Sequence, residues 1–400
     1  MKKINAEDLY LKLLLLFPVF TLFQGIPALN WINRVLFVVT FVLQITLQFH
    51  SLKIKAKWMP FIGLLFLVHF YALTNTKFPM YNTNTLFYFF FWFMVVLYFV
   101  DIKDRIGEII KRNLKFLINI VRVWTVVVAV TAFIPSCYKT IELWGGKRYF
   151  ISITGNTFRI AQAALMILTL VLVYFYMTKN RQVIIYTIMP MYCFLMCGSR
   201  TYLGVGVLVF IIFWYIFTSN KIVFFVTLLP VLLIVMFLIS KTAAGDKIAA
   251  TTYTNDSYFD YWGTISNGRS IFWEVDLKYF FKESFLNQLL GCGFNFDYEV
   301  TQQYYTSAHW AHNDIIGVLL NFGYVGVLLY TFSMVVLFKT YFTNSNIPIL
   351  IRILIILVWL INAMFNMFYT YTCSVISFLI MLAGIKYYYQ RSDAKSISTS

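Results

Sequence analysis

Three short motifs contain the polar residues of this chain that are best suited to chemistry. They are GSRTYLGVG (198–206), NGRSIFWEV (267–275) and AHWAHNDIIG (308–317). The first two carry one arginine each, and the third carries two of the four histidines in the chain. Arginine binds anions through a fork of N–H groups, and a neutral imidazole is a common general base. The motifs therefore predict a site that combines anion binding with proton transfer.

Each arginine has a local prediction of its own. Asn267 and Gly268 form a turn signal, after which a helix is expected to begin near Arg269 or Ser270. The free backbone amides at such a helix start and the guanidinium can converge on one anion. Arg200 stands at the junction of two apolar runs. The alternatives are a solvated loop position for Arg269 and a side chain that extends to the lipid headgroups for Arg200.

His309 and His312 lie three residues apart, directly before an apolar run. At helical spacing the two imidazoles would share one face at the mouth of that span. They could also ligate a metal ion, but two ligands without clustered cysteines or carboxylates make a weak site. We therefore expect no metal and no cofactor. Gly317, Gly323 and Gly326 are expected where neighbouring helices pack closely.

The composition defines the elements that must position these motifs. Of the 400 residues, 60% are hydrophobic and 12% are charged, and the mean hydropathy is +0.75. This excludes an ordinary soluble domain, in which about 25% of residues are charged. A spanning helix needs about 20 apolar residues. About twelve such runs occur, at residues 9–29, 31–49, 58–75, 84–101, 114–135, 158–177, 183–197, 202–218, 222–240, 313–338, 348–366 and 368–387. We predict an all-α polytopic membrane protein in which residues 1–400 form a single transmembrane domain.

Alternate connections between these runs carry most of the lysines and arginines. This positive-inside pattern assigns both termini to the cytoplasm and explains the net charge of +16 without nucleic acid. The cationic connections include residues 2–3, 53–57, 103–115, 179–181, 221, 339 and 386–395. The long connections 136–157 and 241–312 then lie outside, and the larger one is expected to form a lid of short helices. The segment 101–115 is expected to form a short interfacial helix on the cytoplasmic headgroups.

The predicted topology places all three motifs on the outer side. In chain order they are SRT with a following glycine (199–204), GR with a following tryptophan (268–273), and HN before an apolar run that contains GxxG (312–326). This order, spacing and sidedness resemble the O-antigen polymerase and O-antigen ligase superfamily of bacterial membrane glycosyltransferases. By motif the resemblance covers about residues 190–330, and the N-terminal half matches in hydropathy only.

The resemblance implies an all-helical membrane glycosyltransferase that uses a glycan on a polyprenyl diphosphate and needs no metal or nucleotide. By their positions in the motifs, Arg200, Arg269 and His312 would be catalytic, and His309 and Asn313 would bind substrate. It further implies the cytoplasmic (inner) membrane of a bacterium as the location. The expected partners are the lipid-linked oligosaccharide, membrane lipids, a chain-length regulator and a flippase.

The chemistry of these residues agrees with the resemblance. Glycosyl transfer from a diphosphate requires stabilisation of the departing negative charge, which fixed arginines at a water-poor interface can provide. His312 is expected to act either as a general base for the acceptor hydroxyl or as a hydrogen-bond partner of the phosphate. The basic segment KRYFISITGNTFR contributes Lys147, Arg148 and Arg159, which are expected to hold a second diphosphate or an acidic glycan. A solvated loop is the alternative for these three.

The expected function is polymerisation of O-antigen or capsular repeat units, from a polyprenyl diphosphate donor to a lipid-linked acceptor glycan at the outer face. A ligase that transfers the glycan to a lipid A core is the alternative within the enzyme class. A twelve-span transporter of lipid-linked sugars is the alternative from another class, and Arg122, inside the fifth run, fits it better. Transporters usually show repeats and midplane ionisable residues. The clustering of the motifs at one surface favours an enzyme.

Overall fold

The chain forms a bundle of α-helices with one short β-hairpin. This computed structural model describes residues 5–50, 58–76, 85–142, 146–253, 269–305, 309–343 and 345–398. The helices are α1 Ala6–Leu22, α2 Asn30–His50, α3 Met59–Asn75, α4 Thr85–Asp101, α5 Ile106–Arg112, α6 Leu114–Thr131, α7 Thr157–Thr178, α8 Ile188–Met196, α9 Arg200–Phe217, α10 Lys221–Ser240, α11 Ala243–Tyr253, α12 Arg269–Phe280, α13 Phe285–Leu290, α14 Phe296–Tyr305, α15 Asp314–Phe342, α16 Ile349–Asn366 and α17 Thr372–Ser398. The antiparallel strands β1 Tyr138–Ile141 and β2 Lys147–Phe150 lie between α6 and α7.

Within the described ranges, eight helical segments are long and apolar enough to cross a membrane. They are Pro27–Gln48, Leu114–Thr131, Thr157–Thr178, Arg200–Phe217, Lys221–Ser240, Asp314–Phe342, Ile349–Asn366 and Thr372–Gln390. Shorter apolar helical segments occur at Met59–Asn75, Phe87–Asp101 and Arg181–Met196. Each predicted apolar run overlaps one of the observed helices. The predicted class, an all-α membrane protein, is therefore confirmed, and the hairpin is a small departure from it.

The centre of the bundle is the pair α7 and α17. In the most apolar stretch of α7, 89% of the residues are buried inside the protein, and in that of α17 the share is 78%. The two helices pack along each other, and the hydroxyls of Thr169 and Ser377 are 2.7 Å apart between them. Helix α10 is the opposite extreme, because only 6% of the residues in its apolar stretch are buried. It lies at the periphery, where its apolar side chains can face lipid.

Ion pairs hold both chain ends to the same end of the bundle. Glu7 pairs with Arg105 at 2.8 Å, and Asp8 pairs with Arg112 at 2.9 Å. The segment 101–115 does contain the predicted short helix, which is α5. Its apolar side chains are buried in the protein, and the contact of its basic face with lipid headgroups stays a prediction. The apolar face of α5 is covered by α1 and α17.

The described part of the predicted outer loop, residues 241–253, 269–305 and 309–312, contains helices α11 to α14. Its C-terminal part packs on a break in α15 at Gly323, where φ is +65° and ψ is −166°. A Cβ at Gly323 would lie 2.4 Å from the carbonyl oxygen of Leu289. The backbone N–H of Cys292 also donates to the carbonyl of Leu320 at 2.9 Å. Glycine at this break therefore lets the loop helices approach α15 closely.

Candidate functional site

Four cationic or basic side chains from distant parts of the chain converge at the bundle end opposite the chain termini. Burial, together with the charges of the nearby Arg200 and Arg269, lowers the pKa of Lys247 to about 7. Burial, followed by the charges of Arg269, His309 and Lys247, lowers the pKa of His312 to about 3. These mutual effects require short distances. The structure thus brings the three sequence motifs together. We call the four side chains, Arg200, Lys247, Arg269 and His312, the cationic cluster.

A tight turn between α8 and α9 positions Arg200. Gly198 has φ +69°, and a Cβ there would lie 2.5 Å from the ring of Tyr149 and 3.6 Å from Cδ of Lys247. Ser199 precedes the helix but makes no capping hydrogen bond, and its buried hydroxyl has no partner among the described residues. The first amides of α9 therefore remain available beside Arg200 for an anion.

Lys247 belongs to the same cluster, although the sequence analysis did not single it out. It lies on α11 and is only 5% exposed. Its Cδ faces Gly198, close to the Tyr149 ring from the hairpin. One sequence signal could have indicated it, because Lys247 is a lysine in a connection that the positive-inside pattern predicts on the side poor in cations. A cation that breaks this bias is a functional candidate.

Arg269 is fixed between two helix termini. It is the first described residue of α12. Residues 267 and 268 of the predicted turn lie outside the described chain. The Nη1 atom of Arg269 donates to the carbonyl oxygen of Phe365 at 2.5 Å, in the last turn of α16. Burial lowers the pKa of Arg269 to about 10, and Arg200 contributes in the same direction.

The segment before α15 is held by side chains of the loop helices. The Nε1 atom of Trp273 donates to the carbonyl of Ala311 at 2.5 Å, and the Ala311 amide donates to Oδ2 of Asp297 at 3.1 Å. Asp276 is fully buried beside Asp297, and neither of its oxygens has a partner in the described structure. Burial, together with the charge of Asp297, raises the pKa of Asp276 to about 9. Asp276 is therefore neutral at pH 7.

The two motif histidines do not share a helix face, so that prediction is wrong. Residues 309–313 are not helical, because Asn313 caps α15 and accepts a hydrogen bond from the amide of Ile316 at 3.1 Å. His309 stacks on Phe272 with ring centroids 4.8 Å apart. His312 has φ +50°, and its buried Nδ1 has no hydrogen-bond partner among the described residues. His312 is thus the histidine whose ring nitrogen is available in the cluster.

Asn313 and its neighbour Asp314 have structural contacts. The side-chain oxygen of Asn313 accepts the capping hydrogen bond from the amide of Ile316. Its side-chain NH₂ group is therefore the part that could contact a substrate. Asp314 is buried and accepts a hydrogen bond from the hydroxyl of Tyr330. Trp359 Nε1 donates to the same hydroxyl at 3.1 Å. These contacts fix the start of α15 directly after His312.

The three cations of the predicted basic segment are separated by the fold. Lys147 and Arg148 lie on the exposed edge of the hairpin, and Arg148 donates to the carbonyl of Pro135 at 2.7 Å. Arg159 lies in the first turn of α7, where Asn156 caps the helix, and Nη1 of Arg159 is 3.4 Å from the carbonyl of Gln24. The three cations therefore do not line one site, because Arg159 lines a cavity to which Lys147 and Arg148 do not contribute.

Arg159 lines a polar cavity of about 270 Å³, which we call the Arg159 cavity. Its lining also includes Arg34, Gln162, Trp310 and Tyr371. Burial raises the pKa of Tyr371 to about 12, and both Arg269 and Arg159 act against this shift. Tyr371 therefore lies between the cationic cluster and the Arg159 cavity.

A second cavity adjoins the cluster and is almost purely apolar. It has a volume of about 510 Å³ and lies between α8, α9 and α10. We call it the apolar groove, and its lining includes Met191, Leu203, Phe210, Trp214, Val231 and Leu238. Leu203 is one helical turn from Arg200, so one end of the groove reaches the cluster. Its other end extends along α9 to Trp214.

Among the described residues, no three His, Cys, Asp or Glu side chains form a group that could hold a metal ion.

Known proteins add no further assignment to this site. The chain matches no protein-family model, and a search of curated proteins finds no significant match.

Proposed function

We propose that this protein is a membrane glycosyltransferase that polymerises lipid-linked oligosaccharide repeat units. The donor would be a glycan on a polyprenyl diphosphate, and the acceptor would be a second lipid-linked glycan. One observation carries the proposal: Arg200, Lys247 and Arg269 converge beside His312, next to the apolar groove. Such a combination suits a ligand with a multiply charged anionic head and a long apolar tail.

The proposed topology has about twelve spans, with both termini in the cytoplasm and the cluster at the outer face. Two observations support it. The described chain-end segments and the cluster lie at opposite ends of the bundle, and the cationic connection between α4 and α6 lies with the chain ends. Single cysteines at Lys139 and Lys103, in a background without other cysteines, would test this orientation. Only the cysteine at Lys139 should react with an impermeant thiol reagent in intact cells.

The cluster can stabilise a departing diphosphate without a general acid. As the bond between the anomeric carbon and the phosphate oxygen breaks, negative charge grows on the diphosphate. Two guanidinium groups, an ammonium group and the first amides of α9 would all face that charge. The site is largely shielded from water, which strengthens each of these interactions. The prenyl chain would occupy the apolar groove, which starts one turn from Arg200.

The environment of His312 supports a role that depends on bound donor. With a pKa of about 3, the ligand-free histidine is neutral but is a weak base. A diphosphate bound at Arg269 and Lys247 would offset the positive charges that contribute to this low pKa, and it would raise the basicity of the imidazole. His312 could then take the proton of the acceptor hydroxyl while that oxygen attacks the anomeric carbon. A hydrogen bond from His312 to the phosphate is the alternative.

Specific features distinguish the proposed polymerase from two other functions, a transporter and a ligase. Arg122, which would fit a transporter if it faced the interior, is exposed on α6 and is compatible with a side chain that extends to the headgroups. The cluster lies at helix ends, whereas transporters usually bind their substrates near the midplane. A ligase for a lipid A core would use the same donor chemistry, and the acceptor alone distinguishes it.

Removal of the gene tests these functions together. Loss of a polymerase should collapse the polysaccharide ladder to single repeat units. Loss of a ligase should leave long chains on the lipid carrier and deplete chains attached to lipid A core. Loss of a transporter should trap single lipid-linked units on the cytoplasmic side. Either of the last two results would refute the proposed polymerase, and rescue by the wild-type gene is the control.

A further inference from the structure

We propose that the Arg159 cavity is a second anion site, which binds the diphosphate of the acceptor lipid. This inference rests on the proposed function and extends it, because it assigns the two lipid-linked substrates to two separate places. The donor diphosphate would lie at the cationic cluster, and the acceptor diphosphate would lie between Arg34 and Arg159.

The lining of the cavity has the chemistry of an anion and sugar site. It contains two guanidinium groups, from Arg34 and Arg159, and its described lining contains no carboxylate. Neutral hydrogen-bonding side chains complete it, among them Asn33 and Gln162. The buried Oδ1 of Asn33 has no hydrogen-bond partner in the described chain. A divalent anion would neutralise the two arginines, and the amides can bind hydroxyl or phosphate oxygens.

The volume fits part of a ligand and excludes a whole glycan. About 270 Å³ is slightly below the range of about 300–1,000 Å³ that is typical of small-molecule pockets. A diphosphate with the first part of a sugar suits such a space. The remainder of the acceptor glycan would then extend beyond the cavity.

The cavity is adjacent to the catalytic cluster. Tyr371 lines the cavity and interacts electrostatically with both Arg159 and Arg269. Trp310 also lines it and lies two residues before His312 in the chain. The buried Nε1–H of Trp310 has no acceptor among the described residues. An acceptor glycan that leaves the cavity past Trp310 and Tyr371 therefore approaches His312, where its hydroxyl must be activated.

The two proposed sites open between different helices. The apolar groove is formed by α8, α9 and α10, whereas the Arg159 cavity is formed mainly by α1, α2, α7 and the start of α17. Arg34 is exposed on α2. Only 17% of the residues in the apolar stretch of that helix are buried. Trp31 and Val38 on the same helix are 58% and 57% exposed. A prenyl chain could therefore lie against α2 while a different chain fills the groove.

Binding of inorganic diphosphate to the full-length protein tests the inference directly. The protein is placed in phosphatidylcholine nanodiscs, and the stoichiometry is measured by calorimetry without divalent metal. We expect two binding events for wild type and one for the double variant Arg34→Gln/Arg159→Gln. The double variant Arg200→Gln/Arg269→Gln should lose the other event. Lys139→Gln removes an exposed cation from the hairpin and should keep both.

The outcomes separate this inference from the proposed function. Two events that survive in the Arg34→Gln/Arg159→Gln variant would overturn the acceptor site and leave the donor site intact. A single wild-type event that the Arg200→Gln/Arg269→Gln variant loses would do the same. Two events that survive in the Arg200→Gln/Arg269→Gln variant would overturn the proposed donor site. If phosphatidylglycerol nanodiscs abolish the second event in wild type, the cavity binds a phospholipid headgroup and the acceptor assignment is wrong.

Steady-state kinetics provide a second readout with labelled acceptor units. Loss of one charge-assisted contact to a phosphate should weaken binding about tenfold or more. The KM for the acceptor of Arg159→Gln should therefore rise about tenfold, while the KM for the donor chain stays unchanged. Equal increases in both KM values would contradict a separate acceptor site. Arg159→Lys should recover part of the acceptor affinity, because it restores the charge without the guanidinium fork.

Discussion

The two ends of the helix bundle treat positive charge in opposite ways. At the end that holds the chain termini, cations pair with carboxylates, and all four ion pairs between described residues lie there. At the other end, Arg200, Lys247 and Arg269 lower one another's pKa values or that of His312. The first arrangement contributes to folding, whereas the second opposes it. Buried groups with pKa values shifted by burial and by neighbouring charges are typical of functional sites.

The largest expected effect concerns His312. If the imidazole activates the acceptor hydroxyl, His312→Gln should lower the turnover number about 10²–10⁴-fold with little change in donor affinity. His309→Gln should have a much smaller effect, because His309 is stacked on Phe272. Turnover and donor binding of the purified variants, with and without a chelator, measure this. Near-normal turnover of His312→Gln would remove the histidine from the mechanism, and inhibition of wild type by chelator would indicate a metal.

The cluster arginines should differ sharply from Arg112 at the other end. Arg200→Lys and Arg269→Lys should each lower kcat/KM about 10²-fold, because a point charge does not reproduce the guanidinium fork. Arg112→Lys keeps a cation beside Asp8 and should leave activity unchanged. Activity assays at matched protein levels in the membrane test this difference. Equal activity of all three variants would break the comparison between the two ends.

Lys247 should make the stability of the protein depend on pH, which tests the comparison between the two ends. Its pKa is about 7 in the folded protein and about 10.4 in an unfolded chain, so the unfolded state binds more protons between these values. The contribution of Lys247 to the stability of the ligand-free protein should therefore rise with pH from about 7 to 10. Lys247→Met should remove this rise and weaken diphosphate binding about tenfold. Thermal unfolding at three pH values measures it, and an unchanged slope in the variant would contradict the assignment.

Asp276 should give a smaller change of opposite sign. Its pKa is about 9 in the folded protein and about 3.9 in an unfolded chain, so the folded state binds more protons in that interval. Its contribution to stability should fall as the pH rises from about 4 to 9. Asp276→Asn should raise the melting temperature at pH 8 by about 5 °C and flatten this dependence. Glu274→Gln, an exposed change on the same helix, is the control and should do neither.

The smallest effect is expected at the chain-terminal end. Asp8→Asn breaks the pair with Arg112, whose side chain is 47% exposed. Exposed pairs contribute about 0–1 kcal/mol, so the melting temperature should fall by no more than about 4 °C. Glycosyl transfer should be unchanged, since Asp8 lies at the opposite end of the bundle from the cluster. A marked loss of activity in Asp8→Asn would show that the two ends are coupled.

The sequence by itself determined the class of this protein and the parts of its candidate site. Runs of about 20 apolar residues require helices in a membrane, because backbone polar groups have no other partners there. The positive-inside pattern predicted that Arg200, Arg269 and His312 share one side, and these three residues do converge. Each of these inferences depends on local composition or on charge counts, which can be read without knowledge of any distant contact.

Only the tertiary structure decided which side chains complete the site. Lys247 joins the cluster because α11 folds back on the α8–α9 turn, a contact between residues about 50 positions apart. The Asn313 cap starts α15 after His312 and separates the two histidines, although their spacing of three suggested one face. Arg159 and Arg34 share a cavity because α1 packs against both α2 and α7. Such contacts depend on packing between distant segments, and packing has no local signature in the sequence.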